Sequence, residues 1–196
     1  MKEQLIKIKG ENVIPVTEDT RFILMREDYL SPEACSYEFL FNTSGVTAEL
    51  VTIYKTPEKG SFDVTTIAHH TVPNTNCVTK VRGILGADSN SNYIGKIIID
   101  KPAQQTSSFL FDNVLVIGEN TKNNSQPILQ IDADDVSASH GATTGKVDSD
   151  EVYYLMSRGL TKADSVKLIS DGFLDALIDL IETPEIKEEV IRSVKF

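Results

Sequence analysis

From Lys7 to about Thr143 the apolar residues fall into short bursts, and this spacing constrains the chain more than any other feature. RFILMRE, YEFLF, AELVTIY, FDVTTIA, VTKVRGIL, YIGKIIID, SSFLFDNVLVIG and ILQID are each of strand length and rich in β-branched and aromatic residues. Clusters dense in Asn, Ser, Gly and Pro separate them: SPEACS, NTSG, TPEKGS, VPNTN, GADSNSN, KPAQQ and ENTKNNSQP. No helix-period segment interrupts the series. A sandwich, a barrel or a solenoid would each produce this pattern, and strand propensity does not choose among them. The Asn- and Ser-rich corners, with no clear Asn-Gly or Asp-Gly hairpin between bursts, lean toward a parallel β-helix whose rungs stack about 4.8 Å apart.

At Asp148 the period changes. A first helix is expected to open there with Glu151 three residues on, carry Val152, Leu155 and Met156, and stop at Gly159. A second starts at Thr161 with Asp164 as its box partner and an apolar set running from Ala163 to Ile181. Thr183-Pro184 ends it and starts a third, lined by Ile186, Val190 and Val194. Residues 1–147 are thus expected to form a β-helix core and residues 148–196 a helical C-terminal region. In its plainest role that region caps the open end of the solenoid, where unpaired strand edges would invite aggregation.

The 196 residues are 40% apolar, enough for a real core. A formal net charge of -10 argues against nucleic acid or an anionic membrane as the main partner. Cys35 and Cys77 form no CxxC pair, and MKEQLIKIKG lacks the apolar core of a signal peptide, so a reduced, cytoplasmic setting is expected. The longest apolar runs fall far short of the roughly 20 residues of a membrane span.

Chemistry-bearing groups are few. Strand phasing of Val136 to Thr143 places Val136, Ala138, His140 and Ala142 on one face, and composition alone favours a half-buried structural imidazole at His140. GATTGKV has three residues between its glycines where a P-loop needs four, and Val147 follows the lysine, so nucleotide binding is excluded there. His69 and His70 should point to opposite faces at a rung corner, and replacing either should change little. Asp132, Asp134 and Asp135 lack a calcium-loop glycine and a bidentate glutamate, which leaves a solvated turn. Asn42-Thr43-Ser44 and Asn123-Asn124-Ser125 are glycosylation-like triplets, but a cytoplasmic chain would not meet the transferase, which leaves turns. No Ser-His-Asp order is available.

The run ADDVSASHGATTG, Ala133 to Gly145, followed by YYLMSRGL and LISDGF, resembles the C-terminal signature of the SufB/SufD proteins of iron-sulfur cluster assembly. It is closer to SufD, whose pattern is roughly ADDV-x-x-SHGATxG. A fainter match passes through PNTNCVTKVRGILG and YIGKIIIDKPAQQT, so the similarity runs from about His70 onward, with none seen before Val64. The resemblance implies a parallel β-helix core and a minimal SufD-like protein without the larger N-terminal region of most relatives. It also implies a non-enzymatic scaffold or partner subunit that binds no nucleotide and works with a SufB-like subunit and a SufC-like ATPase. His140 matches the histidine implicated in holding a nascent iron-sulfur cluster at the subunit interface. Arg158, Gly159, Leu160, Ile169, Gly172 and Phe173 fall in the helices that dock the ATPase, although Phe173 could equally be core between helices.

Departures from the pattern matter. Ala138 replaces a cysteine common in SufD, Phe111-Asp112 stands where SufB has Cys-Asp, and Ser139 and Gly141 stand where SufB has glutamates. One imidazole is at most one ligand of a site that wants thiolates, so the others would come from a second subunit. In SSFLFDNVLVIG both strand faces are largely apolar, which implies cover outside by the helical tail or by another subunit; the resemblance implies pairing through the end of the β-helix that carries SHGAT, hence a dimer with itself or with a SufB-like chain. Two other classes fit a β-helix: a polysaccharide-acting or polysaccharide-binding protein, disfavoured by the absence of Trp, and a plain interaction module.

Overall fold

The computed structural model describes residues 1–31 and 33–195; Pro32, within the SPEACS turn, and Phe196 lie outside the described residues. The strands are β1 (Lys2–Lys7), β2 (Glu11–Pro15), β3 (Thr20–Met25), β4 (Cys35–Phe41), β5 (Thr47–Thr56), β6 (Ser61–His70), β7 (Asn76–Leu85), β8 (Asn90–Ile99), β9 (Thr106–Val116), β10 (Lys122–Ile131) and β11 (Val136–Lys146). Odd-numbered strands form one sheet in the order β1-β3-β5-β7-β9-β11, and even-numbered strands a second in the order β2-β4-β6-β8-β10. Every pairing is parallel. Thr47 lies beside Asn76 and Asn76 beside Ser107, while Cys35 lies beside Val64. The chain is therefore a right-through parallel β-solenoid of about five turns, as the burst pattern and the resemblance both lead one to expect.

Alternation explains the bore. Along β6, Phe62, Val64, Thr66, Ala68 and His70 are buried while the residues between them are half-buried, and β8 repeats the phase with Ser91, Tyr93, Gly95, Ile97 and Ile99. The early rungs are filled by Phe22, Leu24, Phe39, Phe41, Leu50 and Phe62. The Tyr54 ring stacks on Phe62 with centroids 3.7 Å apart, and its hydroxyl lies 3.0 Å from Ser91 Oγ. Gly83 makes that possible, since a Cβ there would fall 2.0 Å from the Tyr54 ring. Toward the last rungs the interior mixes Ile97, Ile99 and Leu110 with buried Thr106, Ser108 and Asp112. At the corners, Lys59, Asp88 and Asn120 adopt left-handed backbone with φ of 59°, 54° and 56°, one above another, so that Lys59 N–H donates to the Ala87 carbonyl and Asp88 N–H to that of Glu119.

Two parts of the sheet escape the burst pattern. β1 and β2 are short, and the segment Lys122–Pro127, read as turn from ENTKNNSQP, is the first half of β10. An in-register parallel neighbour overrides the turn propensity, because Asn124 Nδ2 donates to Asn92 Oδ1 at 2.8 Å and Asn92 Nδ2 to Asp63 Oδ1 at 3.0 Å, a polar ladder on the outer face.

Three helices follow: α1 (Ser149–Ser157), α2 (Lys162–Ile178) and α3 (Pro184–Lys195). Asp148 and Thr161 are the N-caps expected of them, accepting from Asp150 N–H and Asp164 N–H. Gly159, at φ 99°, ends α1. The tail does not sit over the solenoid's end. Leu174, Leu177, Ile178, Ile181, Val190 and Val194 pack on Ile23, Met25, Val51, Ile53 and Ile84, which point outward from β3, β5 and β7. The apolar stripe of α2 and α3 thus matches the outer wall, whose side chains would otherwise face water, and the final rung remains uncovered.

Two arginines clasp the helices to that wall. Arg82 donates to the Phe173 carbonyl, and its guanidinium lies 4.8 Å from the centre of the Phe173 ring. Arg21 binds Glu49 at 2.6 Å, Glu3 at 2.9 Å and the Leu180 carbonyl, while the Glu3 carboxylate accepts the N–H of Glu182 at 3.0 Å and that of Thr183 at 2.7 Å, at the start of α3. Burial alone would raise the Glu3 pKa, but the bonds from Glu182, Thr183 and Arg21 outweigh it and hold it at about 2, below the ordinary 4.5. A depressed carboxylate stabilises the native state above pH 4.5, and this is lost as pH falls through about 2. Glu3→Gln should therefore melt lower than wild type at pH 6, with the gap closing by pH 2.5. A gap of constant size across that range in thermal melts would exclude an ionic clasp.

Candidate functional site

The register of β11 on β9 fixes where each residue of the histidine motif points. Ala138, His140, Ala142 and Thr144 lie beside Ser108, Leu110, Asp112 and Val114, all of which are buried in the bore. The four therefore form the inward row of the last rung. No strand lies above them, so His140 is exposed despite its inward phase. The outward row, Ser137, Ser139, Gly141, Thr143 and Gly145, continues the wall, and Thr143 Oγ1 donates to Asn113 Oδ1 at 2.7 Å. β9 is covered unevenly on that side: Leu115 packs with the tail, whereas Phe111 is 45% exposed beside side-chain-free Gly141.

β11 and β10 also end their sheets, so each presents one row of backbone groups with no strand beyond it. β10 is interrupted by Pro127, which carries no N–H, whereas β11 is free of proline and built from small residues. The longer and smoother edge is thus the one that carries His140.

The remaining histidines and cysteines serve other ends. His69 faces outward, with Nδ1 2.7 Å from Glu38 Oε1 and Nε2 3.3 Å from Asp100 Oδ2 on opposite sides of the ring. His70 faces the bore, stacks on Phe41 at 4.2 Å and meets Thr75 Oγ1 at 2.8 Å and Ser108 Oγ at 3.1 Å, and burial drives its pKa down to about 3. The opposed orientation matches the strand reading, but His70 is a packed interior group whose removal would not be silent. Cys77 is fully buried and its thiol is pushed up to about 12, so it supplies no thiolate, and Cys35 is buried as well. Among the described residues no three His, Cys, Asp or Glu side chains converge in a way that would hold a metal ion.

Of the helical residues singled out, Arg158 lies exposed with its guanidinium 5.2 Å from the Tyr154 ring, Gly159 shapes the turn, and Leu160 is half-buried. Ile169 lines a shallow apolar groove with Tyr154 and Leu155. Gly172 is exposed, while Phe173 turns toward the wall under Arg82. Sequence reasoning passed over the most exposed apolar side chains of this face, Tyr153 at 75%, Tyr154 at 56% and Leu168 at 52%. The signal was present, because adjacent tyrosines on one helix cannot both join a single buried stripe.

No described helix is long and apolar enough to cross a membrane. A family model described as the SUF system FeS cluster assembly, SufBD core domain, matches residues 35–173. The iron-sulfur cluster assembly protein SufD of Bacillus subtilis is 35% identical over 109 residues, which are 56% of this chain and 24% of that protein. The SufD protein of Escherichia coli is 32% identical over 100 residues, 51% of this chain and 24% of its own length. A SufBD family protein of Mycobacterium leprae is 26% identical over 163 residues, 79% of this chain and 42% of that relative. The chain thus spans less than half the length of these relatives. With the match covering most of the solenoid, the first helix and most of the second, this chain belongs to the SufBD core family of iron-sulfur cluster assembly proteins.

Proposed function

We propose that the chain is a SufD-like, non-enzymatic scaffold subunit that offers one imidazole to a nascent iron-sulfur cluster and relies on a partner for the other ligands, working in the cytoplasm. The observation that carries this reading is His140: exposed, on the last rung, beside an unpaired strand edge and, among the described residues, in no cluster of three side chains able to hold a metal ion. The cluster is cargo, and a single imidazole at a subunit boundary suits a site that must release it. The partner is a SufB-like chain or a second copy. Pairing about the middle of β11, which is Gly141 in a strand from Val136 to Lys146, would set His140 within one residue of the two-fold axis. Residues 1–147 act as the β-helix body and residues 148–196 as the tail, whose α1–α2 face around Arg158, Gly159, Leu160, Ile169 and Gly172 is the surface for a SufC-like ATPase. Phe173 supports that face from beneath through Arg82.

His140→Ala tests the ligand role. Its melting temperature should stay within about 1 °C of wild type, since an exposed side chain is removed, while iron and sulfide recovered after anaerobic reconstitution with a SufB-like protein and the ATPase should fall several-fold. His69→Ala is the matched control on the outer face. Equal iron and sulfide in His140→Ala and wild type would remove the ligand role.

A further inference from the structure

Beneath the strand that carries His140, the last closed rung holds a carboxyl group that nothing in the family reading uses. Asp112, on β9, points into the bore between Val81 on β7 and Ala142 on β11 and is 1% exposed. Its Oδ2 accepts from Ser125 Oγ on β10, and its Oδ1 is buried with no donor. Asn123 lies two residues before Ser125 and so on the same inward face of β10; its Nδ2 donates to Thr144 Oγ1 on β11 at 2.7 Å, and its Oδ1 is also buried without a partner. Both unmet atoms are acceptors, so neither can satisfy the other. A proton on Asp112 Oδ1 removes the buried charge and turns that unmet acceptor into a hydroxyl.

We infer that Asp112 closes the last rung as a neutral acid and that its ionisation loosens β10 and β11. Ionised, it would be an uncompensated charge with one oxygen neither solvated nor bonded, and the relief available is water entering between the end strands. The groups around it give no counter-charge. Tyr93 and Tyr54 face it as buried neutral phenols, already engaged with Thr66 and Ser91, Ser125 is its one hydrogen-bond partner, and His140 lies two residues from Ala142 on the row above. Among the described residues no ion pair involves Asp112. Burial raises its pKa from 3.8 to about 6 against the smaller lowering effect of the Ser125 bond. For an acid whose native pKa is raised, stability falls as pH climbs from 3.8 to about 6 and stays reduced above that. The end of the solenoid that carries the β11 edge is then tight in mild acid and looser at neutral pH.

Asp112→Asn in the full chain is the direct test, because its amide nitrogen can donate where the acid proton would while its oxygen still accepts from Ser125. At pH 7.5 the variant should melt about 4 °C or more above wild type, and the two should converge as pH falls below 3.8. Backbone amides of β10 and β11 should exchange about tenfold more slowly in the variant at pH 7.5. Ser125→Ala, which removes the bond favouring the charged form, should move the inflection of the wild-type stability profile to higher pH. Parallel profiles for Asp112→Asn and wild type from about pH 3.5 to 8, a variant less stable at both ends, or an unmoved inflection in Ser125→Ala would each overturn the inference. None of these readouts involves a cluster, so they stand apart from the role given to His140.

Discussion

Leu174→Asp should strip the helices from the solenoid wall. Leu174 is fully buried where α2 meets the wall, among Leu177, Ile178, Ile23, Val51, Ile53 and Ile84. Losing a core leucine and placing a carboxylate with no partner in that seam costs on the order of 5 kcal/mol, which in a chain of this size lowers the melting temperature by about 10 °C or more. Hydrophobic dye should bind the variant at temperatures where wild type stays dark, because the outward isoleucines and valines of β3 and β5 become wet. Leu168→Asp, on the exposed side of the same helix, should melt within about 1 °C of wild type. Equal melting of the two variants would show that the seam contributes nothing. The same geometry cautions against deleting the tail to test partner binding, since removal uncovers the wall as well as any docking surface; substitutions at Tyr154 or Leu168 separate the two.

The second large effect is expected at a corner. Gly118→Ala should destabilise by about 3 kcal/mol or more, because a Cβ at Gly118 would lie 2.1 Å from the Ala87 nitrogen and 2.3 Å from the Gly86 carbonyl carbon of the rung beside it. Those are backbone atoms, so relief means spreading two rungs and weakening the bonds that Ile117 and Gly118 N–H both make to the Leu85 carbonyl at 3.1 Å. Gly145→Ala meets nothing within 4 Å and should change stability by less than about 0.5 kcal/mol. Urea melts of both variants decide the matter, and a Gly118→Ala as stable as Gly145→Ala would show that the corner yields freely.

The solenoid body was legible because its alternation is strong and local. β6 and β8 carry inward and outward rows that any strand reading would separate, and the helix caps at Asp148 and Thr161 sit where the sequence puts them. What could not be read depends on neighbours distant in sequence. Lys122–Pro127 is polar enough to pass for a turn until Asn92 and Asp63 are placed beside it. Periodicity gave the apolar stripe of α2 and α3 but not its destination, since a wall of outward isoleucines and an open end accept such a stripe equally well. The phase of His140 with Val136, Ala138 and Ala142 was evident from alternation. Its exposure was not, because that follows from β11 being the final strand, a property of stacking order. The orphaned oxygens of Asp112 and Asn123 had no signature, as each becomes unusual only when three strands close around it.

Glu3 and Thr183 meet across 180 positions of sequence. A ribosome working at about 5–20 residues per second leaves roughly 10 to 40 s between the appearance of one and of the other. Through that interval successive rungs can add to one another, yet the carboxylate of the first strand has no backbone donors and Arg21 only part of its final set of acceptors. The nascent solenoid therefore travels with one flank unfinished, its row of outward isoleucines and valines open to any chaperone waiting at the tunnel exit, until a segment made 180 positions later fastens Glu3.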